Sequence, residues 1–123
     1  MKRLNAFVAS ATLGLNEYNT LELAIELNGD GWGIIFCSPV LCIKNDHECR
    51  ENYAGNFIMK ALEVVGVKSL DQMKGKPVRA IFEKNGHCGD TLLGLQHFTD
   101  SRSYIFRHKD FAAKVDIKEL EED

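Results

Sequence analysis

The sequence predicts an α+β domain: an antiparallel sheet of about five or six strands with one main amphipathic helix packed on it. Three observations carry that prediction. Apolar and polar residues alternate over Leu21–Leu27 and again over Val78–Phe82, the period of a strand with one wet face. Between these runs the period changes to that of a helix over residues 53–65. Asn-Gly and Asp-Gly steps punctuate the runs, and such residues accept positive φ at little cost. With 123 residues, 45% apolar and 27% charged, the chain is read as a single domain over residues 1–123. That composition excludes a disordered tail, a collagen-like fibre and a coiled coil.

Taken in order, residues 4–13 alternate loosely through Leu4, Ala6 and Val8, then Ala11 and Leu13, and read as the first strand. Leu15–Asn19 is a turn. Leu21, Leu23, Ile25 and Leu27 share one face of the second strand. Asn28-Gly29-Asp30-Gly31 closes a hairpin into a third strand, Trp32–Phe36, which Pro39 shortens or places at an edge. Residues 44–52 are polar and read as a loop. Tyr53, Phe57, Ile58, Ala61, Leu62 and Val65 then form one helical stripe, with Asn52 as cap and Gly66 as stop. Ser69-Leu70-Asp71-Gln72 has the form of a capping box, and Gly75 ends a short turn. Lys76–Lys84 is the fourth strand, with Val78, Ala80 and Phe82 on one face and Arg79, Ile81 and Glu83 on the other. Asn85-Gly86 is a turn, Thr91–Phe98 the fifth strand and Tyr104–Phe106 a short sixth. Phe111, Ala112, Val115 and Leu120 allow a C-terminal helix over 109–121. No apolar run reaches the roughly 18 residues a membrane span needs, and no apolar core follows Met1-Lys2-Arg3, so a cytoplasmic protein is expected.

The net charge of −3 is unevenly spread. Residues 74–109 hold seven Lys and Arg against three Asp and Glu, whereas residues 110–123 hold two against six. His87, His97 and His108 also lie in the basic segment, which can attract phosphate or be a solvated face. The overall acidity argues against duplex DNA as a partner. Cys37, Cys42, Cys49 and Cys88, with His47 and His87, invite a zinc reading. Their spacing does not match paired knuckles, so buried thiols are expected, with no metal and no disulfide.

No Gly-x-Ser-x-Gly elbow or phosphate-binding Gly-x-x-x-x-Gly-Lys loop is present. Gly29–Gly33 lies between strands rather than before a helix, so it reads as a hairpin tip and not a dinucleotide site. What remains is a binding inventory without a cofactor or a catalytic set. Arg79, Arg102 and Arg107 offer planar donors to phosphate, and Lys84 and Lys109 add point charges. His97 joins this ligand-binding set. Phe82, Phe98, Tyr104 and Phe106 offer stacking faces, although Phe82 shares its strand face with Val78 and Ala80 and reads first as a core residue. The third-strand region is apolar beyond period two, at Ile34, Ile35, Phe36, Val40, Leu41 and Ile43. One helix does not obviously cover both of its faces, which points to a homodimer or higher homo-oligomer.

The ordered features resemble a group of small proteins from tailed bacteriophages and prophages, the Thoeris anti-defence 1 proteins among them. The resemblance runs over residues 20–98. It rests on Glu26–Gly33, the helix Phe57–Val67, the stretch Ser69–Arg79 and Leu93-Gly94. Residues 57–79 are its most specific part, and the Val78-Arg79 strand is where it maps firmly. It implies a phage sponge that sequesters a cyclic ADP-ribose isomer or a cyclic oligonucleotide without cleaving it, in the cytoplasm of the infected host. The alternative is a phage inhibitor that binds a host immune effector or nuclease through the acidic C-terminal residues. A third reading, a hydrolase with His87 or His97 as base, lacks a partner for either histidine.

Overall fold

Strand β1 (Lys2–Leu15) is the spine of the fold, because both halves of the sheet pair with it. The computed structural model describes residues 1–43, 53–83 and 91–108. After β1 come β2 (Thr20–Asn28), β3 (Gly33–Cys37), the two-residue β4 (Cys42–Ile43), helix α1 (Tyr53–Val65), a single 3-10 turn (Leu70–Gln72), β5 (Pro77–Phe82), β6 (Leu92–His97) and β7 (Tyr104–Phe106). The antiparallel sheet runs β3-β2-β1-β5-β6-β7, and β4 also pairs with β2. The expected α+β architecture is therefore the one observed. The polar segment 44–52 with Asn52, the Asn85-Gly86 turn and the helix over 109–121 lie outside the described residues. Among the described residues, no helix is long and apolar enough to cross a membrane.

Local chemistry explains the joints. Asn16 accepts the amide protons of Tyr18 and Thr20 through Oδ1, at 2.9 and 3.1 Å, and Asn19 takes φ 59°, a conformation asparagine tolerates. At the next hairpin the Gly29 N–H donates to the Trp32 carbonyl at 2.8 Å, and Gly31 sits at φ 77°. The Trp32 ring lies where a side chain on Gly29 would be and meets Phe82 edge-on at 5.6 Å.

Pro39 ends β3 as expected, and the sheet repairs the gap with a serine. Ser38 Oγ accepts the Leu23 N–H at 2.9 Å and donates to the Pro39 carbonyl at 2.8 Å. The chain then rejoins β2 through Leu41 N–H to the Leu21 carbonyl and through β4. Strand β4 is absent from the sequence reading because two residues show no period.

Helix α1 has the bounds its periodicity predicts. Phe57, Ala61, Val64 and Val65 are buried, and Phe57 stacks parallel to Phe36 at 6.4 Å. The helix covers one face of the sheet, where Leu23, Ile25, Leu27, Val78, Ala80 and Leu95 are fully buried. Each of the larger side chains, Ala80 apart, contributes roughly 1.5–3 kcal/mol. Gly66 stops the helix at φ 83°. Its N–H reaches the Glu63 carbonyl and that of Val67 reaches Leu62 at 3.0 Å, a Schellman ending.

The expected capping box does not form. Ser69 makes no side-chain cap bond; instead Gln72 Oε1 accepts the N–H of Lys68, one residue earlier, at 3.1 Å. A single 3-10 turn of three residues leaves the serine without the helical N–H that a capping box would offer it.

The opposite face of the sheet carries a second, smaller cluster of Ile81 and Leu93 against Tyr104 and Phe106. A register shift opposite the Ile81–Phe82 step puts Leu93 and Leu95, two residues apart, on opposite faces, so Leu93 joins the second cluster while Leu92 and Leu95 stay in the main core. Ile81 is thus fully buried although it shares a strand face with Arg79.

Candidate functional site

The loop between α1 and β5 builds a cationic cleft. Three glycine-enabled or buried anchor points set its shape. Gly66 turns the chain off the helix. Met73 is completely buried and pins the middle of the loop. Gly75, at φ 85°, donates its N–H to the Val8 carbonyl at 2.7 Å, and Val8 returns a bond to the Lys76 carbonyl at 2.9 Å. The loop is therefore stitched to β1, and the residues on either side of Met73 are left at the surface.

Those surface residues define a cleft of ≈ 500 Å³. Lys68, Lys74 and Lys76 line it together with Gln72 and the single carboxylate of Asp71; Gly66 and Val67 form the end next to the helix. All three lysines are exposed. Three ammonium groups against one carboxylate make a positive site, and an ammonium on a flexible stem follows a phosphate wherever its oxygens sit. Exposure keeps the individual attractions weak and salt-sensitive, so affinity depends on the lysines acting together.

His97 stands behind this cleft. Its ring approaches Gly66 so closely that a Cβ there would lie 3.3 Å from Nε2. Nδ1 accepts the N–H groups of Thr99 and Asp100 at 3.1 and 3.0 Å. The neutral ring consequently carries its proton on Nε2, the side turned to Gly66.

The other sequence-selected residues do not gather with it. Arg79 lies between the buried Val78 and Ala80 and so projects from the opposite face of the sheet. Phe82 is only 4% exposed and belongs to the core beneath Trp32, which corrects its place in the ligand-binding set. Arg102 is in the β6–β7 turn, where its N–H and Nε both face the Asp100 carboxylate, at 3.1 and 3.8 Å. Arg107 follows β7 and is half-buried, with its N–H on the Leu93 carbonyl at 2.8 Å. Lys84 and Lys109 lie outside the described residues. Of the expected stacking rings, Tyr104 and Phe106 meet edge-on at 5.3 Å over the second cluster, on the Arg79 side.

Lys68, Gln72, Lys74 and Lys76 were not selected from sequence. A signal existed: the basic segment begins at Lys74, and two of its lysines flank a glycine. The planar arginines drew the choice instead.

Cys37 and Cys42 are thiols outside any disulfide and are half-buried rather than buried. The remaining members of the zinc reading, His47, Cys49, His87 and Cys88, lie outside the described residues. Among the described residues, no three His, Cys, Asp or Glu side chains gather as a metal site requires.

Comparison with known proteins adds nothing to this geometry: no protein family, curated protein or solved structure matches the chain.

Proposed function

We propose that the protein binds a phosphate-bearing cyclic nucleotide at the cationic cleft and holds it without cleaving it. The observation that carries this reading is the convergence of Lys68, Lys74 and Lys76 on one cleft of ≈ 500 Å³. That volume falls within the roughly 300–1,000 Å³ typical of small-molecule sites. Every residue lining it falls within 57–79, the stretch that most resembles the phage anti-defence sponges. Sequestration demands affinity for the ground state and no complementarity to a transition state.

In this reading the chain is a phage anti-defence protein working in the host cytoplasm on a cyclic ADP-ribose isomer or a cyclic oligonucleotide. Its other partner is a second copy of itself. Ile35 on the edge strand β3 and Val40 just after it are 55% and 52% exposed, which supports self-association at that edge. Neither a membrane nor duplex DNA is a partner.

A thermal-shift panel of cyclic ADP-ribose isomers, cyclic di- and trinucleotides and their linear counterparts tests the proposal. Ligand at 100 times its dissociation constant adds about 2.7 kcal/mol, several degrees for a domain of this size. A shift with one cyclic class, and recovery of that ligand intact after denaturation, is the expected result. Turnover of the ligand would sink the sponge reading, and no shift with any nucleotide would favour a protein-directed inhibitor.

A further inference from the structure

A second cleft adjoins the cationic one. It lies on the outer side of α1, measures ≈ 420 Å³, and is lined by Asn56, Met59, Lys60, Leu62, Glu63 and Val67. Val67 lines both clefts, so they are neighbours. The position of that valine is set by the helix ending, through its N–H on the Leu62 carbonyl. Met59 is 68% exposed, yet it stands beside Leu62 and Val67 rather than alone. Lys60 and Glu63 pair with each other at 3.5 Å. Their charges offset one another, which leaves the cleft without a net charge, and Met59, Leu62 and Val67 supply its apolar part. The two neighbouring clefts therefore differ in polarity, with thioether and aliphatic groups beside α1 and ammonium groups on the loop.

We infer that the Met59–Leu62–Val67 cleft is a subsite for the planar ring of a nucleotide whose phosphate lies among Lys68, Lys74 and Lys76. The inference rests on the proposed phosphate site and adds what that site selects. A phosphate alone fills only the cationic part. A nucleobase lies on an apolar surface and exposes polar edges, and this cleft offers both partners: a polarizable thioether that favours aromatic contacts, and Asn56, whose amide can pair with a ring edge. A lipid phosphate shares the anionic group and an apolar neighbour but has no planar ring, and the experiment separates the two.

Isothermal titration of the full chain with ribose 5-phosphate, adenosine 5′-monophosphate and a short-chain phosphatidic acid reads each part. For the native protein, adenosine monophosphate binds at least tenfold tighter than ribose 5-phosphate. Met59→Ala, at an exposed position where truncation spares the core, removes most of that ratio and leaves ribose 5-phosphate binding unchanged. Lys74→Gln weakens both ligands by the same factor. Equal affinities in the native protein, or a ratio that Met59→Ala does not change, overturn the ring subsite while leaving the phosphate site standing. Phosphatidic acid binding tighter than adenosine monophosphate also overturns it, in favour of an acyl chain. If none of these linear compounds binds although a cyclic nucleotide does, the ring subsite is overturned and the cyclic-nucleotide site stands; if cyclic nucleotides fail as well, the phosphate site fails and the subsite falls with it.

Discussion

Ser38 shows how much one side chain carries where a ladder is interrupted. Its hydroxyl is the acceptor for the buried Leu23 N–H, at the point where Pro39 breaks the strand. Ser38→Ala leaves that N–H without its side-chain acceptor in a site only 5% exposed, and the expected loss is about 1–3 kcal/mol by chemical denaturation. An unchanged midpoint would show that another group takes over. Gly66 is the second such residue. At φ 83° with His97 close behind, Gly66→Ala costs about 1 kcal/mol or more from the left-handed backbone alone. The role of Gly66 was legible in the sequence, because a helical stripe followed by glycine has a local cause. That of Ser38 was not, because its partner Leu23 is on another strand and no local pattern joins them.

At the scale of elements, β6 is the most constrained. A Cβ on Gly94 would lie 2.2 Å from the Ile105 carbonyl oxygen, a backbone atom of β7 that cannot step aside. Gly94→Ala should therefore separate β7 from β6 or strain both, with a loss of about 1–3 kcal/mol or more and early amide exchange in Tyr104–Phe106. Exchange that is unaltered there would contradict the packing. The helix bounds and the Val78, Ala80 and Phe82 face were readable, since each depends on periodicity within one segment. The burial of Ile81 was not. Alternation puts it beside Arg79 on what reads as a wet face, and only the arrival of Tyr104 and Phe106 from a later strand covers it. Ser69–Gln72 failed for the reverse reason: the motif was present, but the helix it should cap lasts one turn.

For the whole molecule, fold and charge act separately. Lys68, Lys74 and Lys76 are exposed, and the anchoring is done by Met73, Gly66 and Gly75. Lys74→Glu combined with Lys76→Glu should therefore leave the unfolding midpoint nearly unchanged while removing ligand binding. Binding by the native protein should weaken as salt is raised, because these charges are screened. The basic middle of the chain begins at Lys74, one of the three lysines that line the cleft. The choice of arginines followed from their planar donors, the stronger phosphate ligands in the abstract. Topology separates the two sets: Arg79, between two core residues of β5, faces away from the loop that gathers the lysines.

The most direct test of the central claim is a titration of cyclic ADP-ribose isomers and cyclic oligonucleotides into the native chain and into the Lys74→Glu, Lys76→Glu variant, with the ligand analysed by chromatography afterwards. The account predicts saturable binding of one cyclic class to the native chain, full recovery of intact ligand, and at least a hundredfold loss in the variant. Equal binding by both proteins, or a cleaved ligand, would contradict it.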